Sequence, residues 1–168
     1  MKIYLIGFMG SGKSYWGRQL SDKLGIPFFD LDEQITRRKN RSINQLFAEE
    51  GEEYFRELER DLLHELTEQE ESFVMACGGG TPCYFNNIEY MNASGTTVWI
   101  NTSIDTLFRR LLAEKENRPL IRDLREDQLK AYIVKKFSDR KIYYEQAGLM
   151  VDEEPIELDR LINYIFYA

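Results

Sequence analysis

One histidine, two cysteines and four prolines in 168 residues exclude several classes of protein at the outset. Cys77 and Cys83 lack a CxxC spacing and have only His64 as a companion, so no zinc centre follows. A disulfide is not needed, and reduced thiols in a cytoplasmic protein are the expectation. No apolar run approaches the ~20 residues that cross a bilayer. Residues 1–7 are too short and too soon interrupted to form a signal peptide. Basic charge is scarce as well: 22 Lys and Arg against 29 Asp and Glu give a net charge of −7, which argues against a general nucleic-acid or membrane binder. The one basic run, Arg37-Arg38-Lys39 with Arg41, has acids nearby and reads as a solvated helix end. There is no internal repeat, low-complexity tract or Pro/Ser-rich linker, so residues 1–168 are expected to form a single domain.

What remains is ordinary for a soluble globular chain, 43% apolar and 30% charged. Apolar β-type runs alternate with helical patterns. Strands are expected at residues 3–6, 28–29, 73–76, 96–100 and 149–151. Helices are expected at 13–24, where Trp16, Leu20 and Leu24 recur four apart, and at 42–49 behind the cap residue Ser42. Others follow at 52–68, with Phe55, Leu58, Leu62 and Leu66 as the apolar stripe, and at 103–113. The polar stretch 114–127 is expected to be a lid. A helix then runs to about residue 146, and a last one starts at Pro155. His64, beside the Leu62/Leu66 stripe, is expected to face solvent. Five short strands separated by helices predict an α/β three-layer sandwich built on a five-stranded parallel sheet. Ligands on such sheets bind at the carboxyl ends of the strands, and every chemical motif here falls just after a strand.

Gly7-Phe8-Met9-Gly10-Ser11-Gly12-Lys13-Ser14 fits G-x-x-x-x-G-K-[ST] in full, between an expected strand and an expected helix. Its glycines let the backbone wrap an anion, and the helix N-terminus points N–H groups at phosphates. Lys13 can reach the β- and γ-phosphates and the Ser14 hydroxyl can ligate Mg²⁺. Such a loop does not separate a kinase from a switch GTPase or a motor ATPase.

The second substrate must be read elsewhere. Phe28-Phe29-Asp30-Leu31-Asp32 puts two acids at a strand end. An acid there is commonly a helix cap. Beside a phosphate loop, the pair also suits phosphoryl transfer to a hydroxyl, Asp30 near the metal and Asp32 near the attacking oxygen. Arg56 and Glu59, three apart on a helix, are either a routine ion pair or a guanidinium fork held for a substrate carboxylate. Gly78-Gly79-Gly80 is either a loose turn or a place where backbone approaches a ligand. Arg118, in the expected lid, and Arg140 read alone as solvated arginines or as anchors for anionic groups.

Taken together, these landmarks resemble shikimate kinases over almost the whole chain: the phosphate loop, Asp30-Leu31-Asp32, Phe55-Arg56 with Glu59, the three glycines, Arg118-Pro119-Leu120, and Arg140 followed by Tyr143-Tyr144. The resemblance implies a P-loop kinase fold of the nucleoside-monophosphate-kinase type, with a mobile lid at about 114–127 and acceptor-binding helices at about 31–66. It implies transfer of the ATP γ-phosphate to the 3-hydroxyl of shikimate, with Mg²⁺, in a cytoplasmic monomer that has ATP and shikimate as partners. Asp32, Lys13 and Arg118 would be catalytic. ATP would meet Gly10, Ser11, Gly12, Lys13, Ser14, Tyr15, Arg110 and Arg118. The acceptor would meet Asp32, Arg56, Gly78, Gly79, Gly80 and Arg140, with Phe47 and Phe55 as walls. Ser14 and Asp30 would serve the metal. Two features depart from the family pattern. Leu111 stands where an adenine-side arginine is common, with Arg109 and Arg110 just before it. The loop Asp152-Glu153-Glu154-Pro155 is acidic where a basic residue would favour a nucleotide. Cys77 reads as a small buried residue.

Other small-molecule kinases, for a sugar acid or a nucleotide, share the phosphate loop, and a sugar acid would also need an arginine. The D-x-D and F-R-x-x-E series favour shikimate. A nucleotide-dependent switch is a second alternative, though the Asn-Lys-x-Asp series of base-specific GTPases is missing. A kinase-like fold without activity is a third, but the chemical residues are all present.

Overall fold

The computed structural model describes residues 1–167. Five strands form one sheet: β1 (Lys2–Ile6), β2 (Phe28–Asp30), β3 (Phe73–Ala76), β4 (Thr96–Ile100) and β5 (Leu149–Val151). Their order is β2-β3-β1-β4-β5 and every pairing is parallel. Both faces are covered, so strands read as continuous apolar runs whose side chains alternate between two cores. From β1, Ile3 and Leu5 join Val74, Val98 and Ile100 on one face. Tyr4 and Ile6 join Phe73, Met75 and Trp99 on the other.

The helices are α1 (Lys13–Leu24), α2 (Leu31–Lys39), α3 (Ile43–Glu50), α4 (Glu52–Gln69), α5 (Asn87–Ser94), α6 (Ile104–Glu114), α7 (Glu126–Tyr144) and α8 (Leu158–Tyr167). Short 3-10 turns occupy Thr81–Cys83 and Lys115–Asn117. Local chemistry sets several boundaries. Ser42 caps α3 in a reciprocal box with Gln45, and Ser103 caps α6. Three differences from the sequence reading stand out. The helices α2 and α5 were not separately resolved by periodicity. The last helix begins at Leu158 rather than Pro155. The stretch 114–127 is not uniformly polar: Ile121 is fully buried with Leu107, Leu111 and Leu129, and Leu124 packs against them. That apolar foot ties the segment to α6 and α7.

The chain leaves β1 for β2 on one side of the sheet, and leaves β3 for β4 on the other. The strand order therefore reverses around β1, and the loop after β1 opens at that switch point. Among the described residues, no helix is long and apolar enough to cross a membrane.

Candidate active site

The loop between β1 and α1 closes over the carboxyl end of the sheet. Gly7 has φ +146° and a methyl group there would lie 2.7 Å from the Ile100 carbonyl oxygen; Gly12, at φ +94°, starts α1. Neither position admits a larger residue without strain. The Lys13 ammonium donates to the carbonyls of Gly7 (2.7 Å) and Phe8 (2.9 Å), so the side chain folds back along the loop. Burial is the main cause that lowers its pKa to about 8; the negative charge of Asp32 opposes the shift. Ser11 behaves differently from its neighbours. Its N–H is spent on Phe8 O at 3.2 Å and its hydroxyl is buried without a partner, so it turns inward rather than to the cavity.

An open cavity of about 510 Å³ lies in front of this loop, lined among others by Lys13, Ser14, Asp30, Asp32, Arg110 and Arg118. Tyr15 stands at its rim, 58% exposed. Ser14 Oγ donates to Asp30 Oδ2 at 2.6 Å, and Asp30 Oδ1 accepts from Glu33 N–H as the cap of α2. The helix-cap and metal-side readings of Asp30 are therefore compatible. Because the Ser14 hydrogen goes to Asp30, the hydroxyl presents its lone pairs to the cavity. Asp32 sits two residues on, in the first turn of α2, its carboxyl raised to about 6, chiefly by burial, with Glu59 and Asp30 adding like charge and Lys13 and Arg56 opposing.

The three glycines bring Asp32, Arg140 and Arg56 together by close approach. A methyl group at Gly78 would lie 3.2 Å from Asp32 Oδ1, at Gly79 2.8 Å from Arg140 Nη1, and at Gly80 2.6 Å from Arg56 Nη2. Gly78 and Gly79 line the cavity in front of the phosphate loop, whereas Gly80, Arg56, Arg140, Phe47 and Phe55 are not among its lining residues. Phe47 and Phe55 pack together at 4.7 Å between ring centres, with the Arg56 guanidinium 5.2 Å from the Phe55 ring.

Arg56 is 7% exposed, and its Nη1 donates to Glu59 Oε1 at 3.0 Å. The pair is thus a buried one, which excludes the routine surface ion pair. Thr81 Oγ1 donates to Glu59 Oε2 (2.8 Å), and Asn87 Nδ2 donates to the Thr81 carbonyl (2.9 Å). Tyr144 OH donates to Gly79 O at 2.6 Å, fixing the glycine loop against α7. Thr81 and Asn87 were not singled out in the sequence; a polar residue directly after a glycine run was the one available signal.

At the other side of the phosphate loop, Arg110 Nη1 donates to Gly10 O at 3.0 Å and lines the cavity. Leu111 is fully buried, its methyl groups against Gly10. Arg118 also lines the cavity, but both Nε (2.8 Å) and Nη2 (2.7 Å) sit on Glu114 Oε2. The acidic loop after β5 has a structural use: Glu154 accepts from Ser103 N–H and from the Thr106 hydroxyl, each at 2.8 Å. These bonds hold its pKa below the usual range, the Ser103 N–H foremost, and commit its charge to the start of α6. His64 does not face solvent as expected. It stacks on Tyr90 at 3.7 Å, with Nε2 buried, far in role from the cavity. Cys77 is 2% exposed and burial pushes its thiol pKa up, which makes it inert; it and Cys83 are unpaired thiols.

Comparison with known proteins agrees with this geometry. The family model for shikimate kinase matches residues 9–166. A curated shikimate kinase of Parabacteroides distasonis is 41% identical over 153 residues, spanning 91% of this chain and 88% of its own. The crystal structure of shikimate kinase from Bacteroides thetaiotaomicron superposes with a TM-score of 0.91 at 39% identity, over 96% of each chain. Shikimate kinase from Acinetobacter baumannii, solved in complex with shikimate, gives 0.86 at 30% identity over 96% of this chain and 90% of its own.

Proposed function

The chain belongs to the shikimate kinase family and is an ATP-dependent kinase, and from that premise we propose how its residues carry the γ-phosphate of ATP to the 3-hydroxyl of shikimate. The observation that carries the reading is the run of three glycines, which brings Asp32, Arg140 and Arg56 against one short strip of backbone. A hydroxyl base and two carboxylate-binding cations on one strip match an acceptor bearing hydroxyls and one carboxylate.

Arg56 and Arg140 hold the acceptor carboxylate. Glu59, itself bonded by Thr81, keeps the Arg56 fork in plane. Phe47 and Phe55 wall the ring. Asp32 orients the reacting hydroxyl and takes its proton; with a pKa near 6 it is ionised at neutral pH and still basic enough to act. Backbone N–H groups of Gly10, Gly12 and Lys13 receive the phosphates, the Lys13 ammonium offsets charge on the transferred group, and Arg110 covers the adenine side.

Ser14 and Asp30 offer hard oxygen donors on the cavity wall, which suits Mg²⁺, an ion that keeps several waters and takes few protein ligands. When bound with ATP, Mg²⁺ would be held on the Ser14 and Asp30 side and would supply charge neutralisation for the phosphates. The segment 114–127 closes as a lid, exchanging the Arg118–Glu114 pair for an Arg118–phosphate pair and excluding water.

Arg56→Lys tests the acceptor side. An ammonium cannot reproduce the planar fork, so the KM for shikimate rises about tenfold or more, with the KM for ATP unchanged. An unaltered shikimate KM removes Arg56 from the site.

A further inference from the structure

The loop that follows the glycines is clamped onto α4 by two parallel stacks. The Tyr84 ring centre lies 4.2 Å from the Arg56 guanidinium carbon, and the Phe85 ring centre lies 4.6 Å from that of Arg60, one turn further on. Phe85 and Asn86 both hold positive φ, 50° and 57°. Two consecutive non-glycine residues in the left-handed region are costly and persist only where the surroundings demand it. Here the backbone turn aims both rings at α4.

Tyr84 makes a second contact. Its hydroxyl donates to Glu52 Oε1 at 2.9 Å, and that same oxygen lies 3.5 Å from Arg56 Nε. The Nε–H is buried with no hydrogen-bond partner. The Glu52 carboxylate thus makes a long ion pair with an edge of the fork that has no hydrogen bond, and shares that same oxygen with the phenol. Glu52 is in the first turn of α4 with a side chain 54% exposed, free to swing inward if released.

We infer that Tyr84 is a positioning residue for the acceptor carboxylate: its ring covers one face of Arg56, and its hydroxyl restrains Glu52 from occupying the fork. The inference rests on the proposed role of Arg56 in binding that carboxylate. Without the phenol, Glu52 becomes an intramolecular competitor for the same donors. Such a competitor raises the acceptor KM and leaves the phosphate side untouched. A ring that served only as a wall would give no such dependence on Glu52.

The test is steady-state kinetics of the purified chain with Mg-ATP and varied shikimate. Tyr84→Phe keeps the ring and removes the restraint; its shikimate KM rises about fivefold, the size of one hydrogen bond to a charged group at a half-exposed carboxylate, with kcat and the ATP KM within about twofold. Tyr84→Phe combined with Glu52→Gln returns the shikimate KM to that of the unaltered chain, because the neutral amide is a poor competitor. An unchanged KM in Tyr84→Phe overturns the inference. So does a raised KM that Glu52→Gln does not lower. If the unaltered chain itself fails to turn over shikimate but phosphorylates another hydroxy acid, the acceptor assignment falls, and the same pair of variants assayed with that acid still decides the role of Tyr84.

Discussion

Replacing Asp32 by Asn separates its chemistry from its effect on the fold. In the free protein its pKa is raised from 3.8 to about 6, burial being the largest cause. A carboxyl that holds its proton more tightly folded than unfolded adds stability at low pH, and that stability is lost as pH rises through about 6. At pH 8 the ionised group therefore costs the fold up to about 3 kcal/mol, at 1.36 kcal/mol per tenfold change in proton affinity. Asn removes this cost but also removes a counter-charge from Lys13, already held near pKa 8 by burial. The net gain expected at pH 8 is about 1–2 kcal/mol. For a chain of this length each kcal/mol moves the melting midpoint by about 2–4 °C. Thermal melts of both proteins at pH 8 and pH 4 provide the assay, beside ADP release with shikimate. The variant should melt several degrees higher at pH 8, with the difference below about 1 kcal/mol at pH 4, where the unaltered carboxyl is almost fully protonated in the folded state and partly so in the unfolded one. Its turnover should fall by about 10² or more. A variant that is no more stable at pH 8, or that turns over normally, refutes the burial or the base role respectively.

The same groups set the pH dependence of kcat/KM for ATP. It should rise through about pH 6 as Asp32 ionises and fall through about pH 8 as Lys13 loses its proton, while the alkaline limb of kcat moves higher because bound phosphates favour the ammonium. A profile flat between pH 5.5 and 7 would count against Asp32 as the base. Glu114→Gln frees Arg118 from its partner; since the pair is solvent-exposed, the ATP KM should fall by no more than about threefold, and a large rise in KM would show that Glu114 positions Arg118 for catalysis instead.

Much of the fold could be read from the chain because its strands are short apolar runs with clear stops. Phe73–Ala76 ends at a glycine run, and Leu149–Val151 lies between Gly148 and three acids. The expected strands at 73–76, 96–100 and 149–151 match the observed ones. Helix α5 escaped notice because Asn87–Ser94 buries only Ile88, Met91 and Asn87 and starts at a left-handed Asn86 with no side-chain cap. The start of α8 was misplaced because Glu154 is drawn to Ser103 and Thr106, which holds the segment before Leu158 away from a helical path. The phosphate loop and the D-x-D pair were legible since their chemistry is local in sequence. Pairings such as Thr81 with Glu59, or Tyr84 with Glu52, join residues 22 and 32 apart. No spacing rule links them, and only the fold brings them together. Charge was ambiguous for the same reason: Glu154 looked like a liability for nucleotide binding until its two hydrogen-bond donors were known.

The measurement that tests the central claim most directly is ADP release from Mg-ATP by the purified chain, with shikimate, with gluconate and with a panel of nucleoside monophosphates. The account predicts release that depends on shikimate, with one phosphate added to shikimate by mass. Release that responds to another acceptor and not to shikimate would contradict the roles given to Asp32, Arg56 and Arg140, and nucleotide binding with no response to any acceptor would contradict the kinase reading itself.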